Sequence, residues 1–191
     1  MSVSYTHLAY ANQRPLSATW TVTGCGAFVV GTSGRVKITG ITTGKIVDYG
    51  VRDSMNMGAC MAPAAADTIA QNLQDFGRTP EDYDQIITGD LGKVGKEILL
   101  TLMKEQGVDI SRQHADCGIE IYDAETQDTH SGGSGCGCSA VTLGAYILDQ
   151  LAEGRWKRVL FVPTGALLST VSFNEGQTIP GIAHGVVLET A

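Results

Sequence analysis

The sequence predicts an α/β fold in which helices cover a five-stranded mixed sheet. The alternation of two kinds of sequence run predicts it. Short runs rich in β-branched residues alternate along the chain with longer runs of helical period, and this alternation is typical of a mainly parallel sheet. The chain has 191 residues, of which 43% are hydrophobic and 17% charged, so one domain with a substantial core is expected.

The N-terminal part predicts a lead-in, a hairpin and a helix. Residues 1–17 show no period and contain the loop signal 12–15, so we expect them to be extended or poorly ordered and the folded domain to span 18–191. The β-rich runs 20–30 and 35–42 predict two antiparallel strands joined by a short turn. Residues 62–76 predict a helix with Pro63 in its first turn and Gly77 at its end.

The remaining elements follow the same alternation. A short buried strand is predicted over 83–88, and a helix over 94–106 that stops at Gly107. A third helix over about 139–152, a strand over 158–163 and a last strand over 185–189 complete the pattern.

A glycine-rich turn, 129–140, precedes the third helix. Glycines let the backbone approach a ligand closely, and a turn at a helix start can aim several N–H groups at an anion. The sequence therefore predicts an anion cradle. The alternative is that the small residues serve only to pack this helix against a neighbour, in the same chain or in a second subunit.

Composition excludes several functions. The net charge of -7, with 13 scattered Lys and Arg residues, argues against a nucleic-acid partner. No apolar run is long enough to span a membrane, and no signal peptide is recognisable. The five cysteines are typical of reduced thiols in a cytosolic protein, and no metal site is predicted because no second cysteine pair has zinc spacing.

Three blocks of sequence carry a resemblance to a known family. They are 57–68, then 116–118 together with 132–140, and 164–169 leading to 179–187. Together they resemble the stage V sporulation protein AD family of spore-forming bacteria, from about Tyr10 to Glu189, whereas residues 1–9 do not fit. The poorly fitting start indicates a truncated product or a fragment.

The resemblance implies the thiolase fold, in which two similar halves pack together, and this chain corresponds to the C-terminal half. In thiolase-type enzymes the nucleophilic cysteine lies in the other half, and a His acts from this one together with a second His, Asn or Cys. The first catalytic position here reads Gly89-Asp90 and the second is Ser134. Because both changes remove imidazole, the resemblance implies no enzyme activity; the alternative is an acyl-CoA condensing or thiolytic enzyme.

The family is associated with dipicolinic acid, pyridine-2,6-dicarboxylate, usually as its calcium chelate. The resemblance implies binding of this ligand by a component of the SpoVA channel, for uptake into the forespore and release on germination. No other cofactor is implied. The expected partners are other SpoVA proteins and the missing half or a second subunit, and the expected location is cytoplasmic, peripheral at the spore inner membrane.

The candidate ligand-binding residues lie in three segments. Backbone and hydroxyl donors suit the two ligand carboxylates, and an apolar or thiol wall suits the ring. The alternative for the polar members is that they bond neighbouring backbone or, for the last histidine, pack beside a strand. The candidates are His114, Asp116, Cys117, Gly133, Ser134, Gly135, Gly137 and His184.

Overall fold

A computed structural model describes residues 15–191 of the protein. The lead-in prediction for 1–17 therefore falls almost entirely outside the described residues. The strands, in chain order, are β1 (Trp20–Thr21), β2 (Val36–Thr42), β3 (Gln85–Thr88), β4 (His114–Asp116), β5 (Gly133–Ser134), β6 (Arg158–Val162), β7 (Thr164–Ala166), β8 (Gly181–Ala183) and β9 (Gly185–Thr190). The helices are α1 (Met57–Phe76), α2 (Gly92–Glu105), α3 (Cys117–Glu120), α4 (Cys138–Thr142), α5 (Leu148–Ala152) and α6 (Thr170–Asn174), with a 3₁₀ turn at Pro80–Asp82 and a π-helical segment at Leu143–Ile147.

The central sheet has the order β2-β9-β6-β3-β4. Strand β3 runs parallel to β4 and β6, and β9 runs antiparallel to β2 and β6. The predicted five-stranded mixed sheet in an α/β fold is thus confirmed. Two short pairs stand beside it, β1 with β5 in parallel and β7 with β8 antiparallel.

Helices cover both faces of the central strands, which explains why those strands read as continuous apolar runs. In β6, Val159, Leu160 and Val162 have no exposed surface. On one face they meet α1, which is rich in alanine, and α2. On the other face they meet Ile147 of the π-helical segment and Leu151 of α5.

Helix α1 begins five residues earlier than predicted, so Pro63 lies inside it instead of in its first turn. The signal that sets its start is Asn56, whose side chain accepts a hydrogen bond from the Ala59 amide at 3.2 Å. Its predicted end is confirmed, since Gly77 takes a left-handed conformation with φ of 58°.

The predicted N-terminal hairpin is wrong. Only Trp20–Thr21 forms a strand in the first run, and it pairs with the glycine-rich turn, while β2 pairs with β9. Residues 22–35 form no strand. Gly24 and Gly26 lie against α4. A Cβ on Gly24 would come within 2.7 Å of Val141, and one on Gly26 within 2.7 Å of the Ala140 carbonyl oxygen. Contact with the helix therefore replaces strand pairing.

Candidate functional site

Polar side chains gather at the carboxyl ends of the parallel strands. Thr88 ends β3, Asp116 ends β4, and Thr164 follows β6. In an open α/β sheet this edge is where ligand sites form. The loop from β3 to α2 and the glycine-rich turn meet over the same edge.

Asp90 lies at the centre of this edge and is only 8% exposed. Its Oδ2 accepts hydrogen bonds from Ser134 Oγ at 2.7 Å and from the Gly135 amide at 3.0 Å. Its Oδ1 accepts from Thr164 Oγ1 at 2.9 Å. The donors that suit an anion therefore already bind a carboxylate of the chain itself.

A second carboxylate, Asp116, is completely buried beneath the first. Oδ2 accepts from Thr88 Oγ1 at 2.6 Å and from the Leu91 amide at 3.0 Å. Oδ1 accepts from the amides of Gly92, at 3.0 Å, and Gly118, at 3.1 Å. Asp116 thus caps the starts of α2 and α3, where the helix dipoles favour negative charge.

Burial has the largest effect on the pKa of Asp116. Removal from water raises the pKa of Asp116 to about 6, and this effect outweighs the hydrogen bonds from Thr88, Gly92 and Leu91, which lower it. The nearby charge of Asp90 raises it further. Asp116 consequently exchanges its proton in the mildly acidic range.

His114 lies next to the hydroxyl group of Thr88. Its Nε2 lies 3.0 Å from Thr88 Oγ1, whose single proton goes to Asp116 at the shorter distance of 2.6 Å. Nε2 therefore carries the imidazole hydrogen and donates it to Thr88. Nδ1 is buried without a hydrogen-bond partner among the described residues. Burial, aided by the charge of Lys96, lowers the pKa of His114 to about 3.

The glycines of the turn are mostly closed to a ligand. A Cβ on Gly133 would come within 2.8 Å of Val22 and Ile121, and one on Gly137 within 2.4 Å of the Gly24 carbonyl oxygen. Only Gly135 is open, since its nearest neighbour would be Thr21 at 3.6 Å, and its φ of 114° favours glycine. The packing alternative thus accounts for Gly133 and Gly137.

The thiols near the site are buried and protonated. Burial, followed by the charge of Asp116, raises the pKa of Cys117 far above its ordinary value. Burial, followed by the charge of Asp90, raises the pKa of Cys138 to about 12. A nucleophilic cysteine needs a lowered pKa, so these two thiols contribute apolar volume to the core.

His184 follows Ala183, which pairs with Thr164 across β7 and β8. It is exposed, and its Nδ1 accepts a hydrogen bond from the Gly44 amide at 3.1 Å. The structure joins Asp116 to His114 through Thr88 and places Cys117 beside them, and it brings Ser134 and Gly135 onto Asp90. In the described part of the chain, the hydrogen bond of His184 goes to Gly44 and not to this cluster.

Three residues of the cluster were absent from the candidate list. Thr88 lies in no motif, Thr164 begins one of the three blocks of family resemblance, and Asp90 occupies the first catalytic position, from which imidazole is missing. The N-cap of α2 is Leu91, and the Asp90 side chain instead binds the glycine-rich turn. The usable signal was position, because all three stand at the carboxyl end of a parallel strand.

Comparison with known proteins identifies the family. The family model described as Stage V sporulation protein AD (SpoVAD) matches residues 5–189. The chain belongs to this family. The match begins about five residues earlier than the resemblance suggested. Stage V sporulation protein AD of Bacillus subtilis (strain 168) is 50% identical over 183 residues, which are 95% of this chain and 54% of that protein. The chain thus spans about half the length of this relative.

Two solved structures are similar to this chain over less than half of their own length. AbyA1, a tetronic acid condensing enzyme, is 15% identical with a TM-score of 0.45 over 84% of this chain and 49% of that one. The 3-oxoacyl-[acyl-carrier-protein] synthase III of Aquifex aeolicus VF5 is 12% identical with a TM-score of 0.44, covering 83% and 46%. In residues 15–191 of the present chain, no helix is both long and apolar enough to cross a membrane.

Proposed function

We propose that this chain is part of a non-catalytic sporulation protein that binds dipicolinic acid, with calcium accompanying the ligand. It would act within the SpoVA channel, in uptake into the forespore and release on germination. The observation that carries the proposal is membership of the stage V sporulation protein AD family over residues 5–189.

The chemistry of the strand-end cluster supports binding over catalysis. Asp90 and Ser134 stand where a condensing enzyme needs imidazoles, and they are hydrogen-bonded to each other at 2.7 Å. The Asp90 oxygens already accept from three donors, which leaves at most one of the about four lone-pair sites of a carboxylate for a substrate proton. Ser134 donates to a carboxylate, so its oxygen is not activated as a nucleophile by an imidazole.

The candidate residues divide into those that a ligand can reach and those that support them. Gly135 is exposed and Ser134 half-buried, and we propose that a ligand carboxylate replaces Asp90 as the acceptor of their hydrogen bonds. His114, Asp116 and Cys117 are buried, so their proposed role is to hold the loop that carries Asp90.

The proposed partners are other SpoVA proteins at the inner membrane of the spore, together with the remaining half of the protein or a second subunit. The 54% coverage of the Bacillus subtilis relative supports this part of the proposal. A site assembled from two halves would share its contacts between them, so the affinity of this chain alone should be lower than that of the longer relative.

Titration calorimetry with dipicolinate, with and without Ca²⁺, tests the proposal on both this chain and the longer relative. We expect saturable binding that Ser134→Ala weakens by about 1 kcal/mol, the worth of one hydrogen bond. The matched control is Ser33→Ala, because Ser33 is exposed and remote from the cluster in sequence. A second assay follows thiolysis of acetoacetyl-CoA. Turnover above the buffer rate, without dipicolinate binding, would favour the condensing or thiolytic enzyme.

A further inference from the structure

Three side chains at the ends of β3 and β4 form a continuous hydrogen-bonded row. His114 Nε2, Thr88 Oγ1 and Asp116 Oδ2 are linked at 3.0 and 2.6 Å. All three residues are buried, and Thr88 is the central member. Asp116 Oδ2 also accepts from the Leu91 amide, which connects the row to the loop that bears Asp90.

Thr88 is the one partner of Asp116 able to reverse its role. Its hydroxyl can donate or accept, whereas the amides of Leu91, Gly92 and Gly118 can only donate. A neutral carboxyl group has one oxygen that carries hydrogen and must donate it. Oδ1 faces two amides, so a proton on that oxygen would have no acceptor. Oδ2 faces Thr88, so the proton belongs there.

We propose that Thr88 is a reversible hydrogen-bond relay that couples the protonation of Asp116 to the tautomer of His114 and to the Leu91 amide. When Asp116 is ionised, His114 Nε2 donates a hydrogen bond to Thr88, and Thr88 donates one to Asp116. In the neutral arrangement Asp116 donates to Thr88, and Thr88 donates to a bare Nε2 at 3.0 Å in preference to the Ala115 carbonyl oxygen at 3.4 Å. The imidazole hydrogen then resides on Nδ1.

One proton is taken up in this change. It adds to His114 Nδ1, the Nε2 proton passes to Thr88 Oγ1, and the former hydroxyl proton of Thr88 passes to Asp116 Oδ2. The buried Nδ1 without a partner is the group at which the row accepts the proton. Because a protonated Oδ2 is a poor acceptor, the Leu91 amide bond weakens, and the adjacent Asp90 is held less firmly.

The charged and titratable groups around the row come from each element packed against it. They are Asp90 in the β3–α2 loop, Lys96 on α2, Cys117 on α3 and Cys138 on α4. Burial raises the pKa of Asp116 to about 6, which places the exchange in mildly acidic solution. The relay does not depend on the ligand proposed above, because every atom in it belongs to the chain.

Solution NMR of the ¹⁵N-labelled 191-residue chain between pH 8 and pH 5 tests the relay. Long-range ¹H–¹⁵N spectra distinguish the two imidazole tautomers of His114, and amide spectra follow Leu91. We expect hydrogen on Nε2 at pH 8 and on Nδ1 at pH 5, with the Leu91 amide changing at the same midpoint near pH 6. The Gly118 amide, bound to Oδ1, is the internal control and should change less.

Two variants of Thr88 separate the relay from a simple change in charge. Thr88→Ser keeps the hydroxyl group and should keep the coupled change, whereas Thr88→Val should leave the His114 tautomer unchanged between pH 8 and pH 5. An unchanged tautomer in the parent protein would overturn the proposal. So would different midpoints for Leu91 and His114, or a tautomer change that survives in Thr88→Val. If the valine variant does not fold, the parent and the serine variant decide.

Discussion

Replacing His114 by glutamine should change how stability depends on pH. In the folded protein burial lowers the pKa of His114 to about 3, against 6.5 for an ordinary histidine. The imidazole of His114 therefore becomes charged near pH 6.5 in the unfolded chain, whereas in the folded protein it stays neutral until about pH 3. For a base with a lowered folded pKa, the stabilising contribution is complete above the unfolded value and is lost as the pH falls.

The magnitude follows from the two pKa values. Each pH unit inside this window is worth about 1.4 kcal/mol. Between pH 7 and pH 4 the parent protein should lose about 3 kcal/mol through His114, and the glutamine variant should not. The difference between the two unfolding free energies isolates this contribution, because the other ionisable groups titrate in both proteins.

Asp116 opposes this effect in the parent. Its raised pKa of about 6 means that stability is greatest below 3.8, the ordinary value, and is lost as the pH rises through 6. The loss between pH 4 and pH 7 is about 2 kcal/mol. The pair therefore nearly cancels in the parent, and His114→Gln should expose the Asp116 contribution alone.

Urea denaturation followed by circular dichroism at pH 4, 5, 6 and 7 measures these free energies. His114→Asn is a second replacement that does not titrate, and it should show the same pH dependence even if its absolute stability differs. Parallel curves for the parent and both variants at every pH would refute the reasoning, because His114 would then make no proton-linked contribution.

Two further predictions concern the glycine-rich turn and the thiols. Gly137→Ala should lower the free energy of unfolding by about 1–3 kcal/mol, because its Cβ would meet the Gly24 carbonyl oxygen at 2.4 Å. The control is Gly144→Ala, whose nearest contact would be the Phe28 ring at 3.4 Å. Equal effects of the two substitutions in urea denaturation would contradict the packing argument. At pH 8 a disulfide reagent should react quickly with the exposed Cys25 and Cys136 and slowly with the buried Cys60, Cys117 and Cys138; three or more fast thiols in the native protein would show that the core is open.

Local pattern was sufficient where an element's own residues determine its conformation. The period of apolar residues predicted the central strands β3, β6 and β9 and the helices α1 and α2, and Gly77 correctly marked the end of α1. The third helix was predicted over the right residues, although Leu143–Ile147 winds as a π-helix. Nothing in those residue types distinguishes a π-helix from an α-helix, because the distinction lies in backbone hydrogen bonds set by packing.

The predicted N-terminal hairpin shows where a local sequence pattern is not sufficient. Residues 20–30 have strand composition, but a strand needs a partner, and its pairing is determined by residues more than 100 positions away. Trp20 and Val22 donate to the carbonyls of Gly132 and Ser134 at 2.8 Å, and the glycines that follow lie against Ala140 and Val141. Sequence separation hides such contacts.

The sequence by itself determined the α/β class, the strands β2, β3, β6 and β9 of the central sheet, the family and the glycine-rich turn, because each rests on residue order or local conformation. It missed β4, the fifth strand of that sheet. Only the tertiary structure decided what the turn binds. It brings Asp90, from a loop 44 positions earlier in the chain, onto Ser134, and it buries Asp116 and His114 around one threonine hydroxyl. A carboxylate's partners and protonation depend on burial and on donors contributed by distant strands, and strand order in the folded sheet is what places those donors within reach.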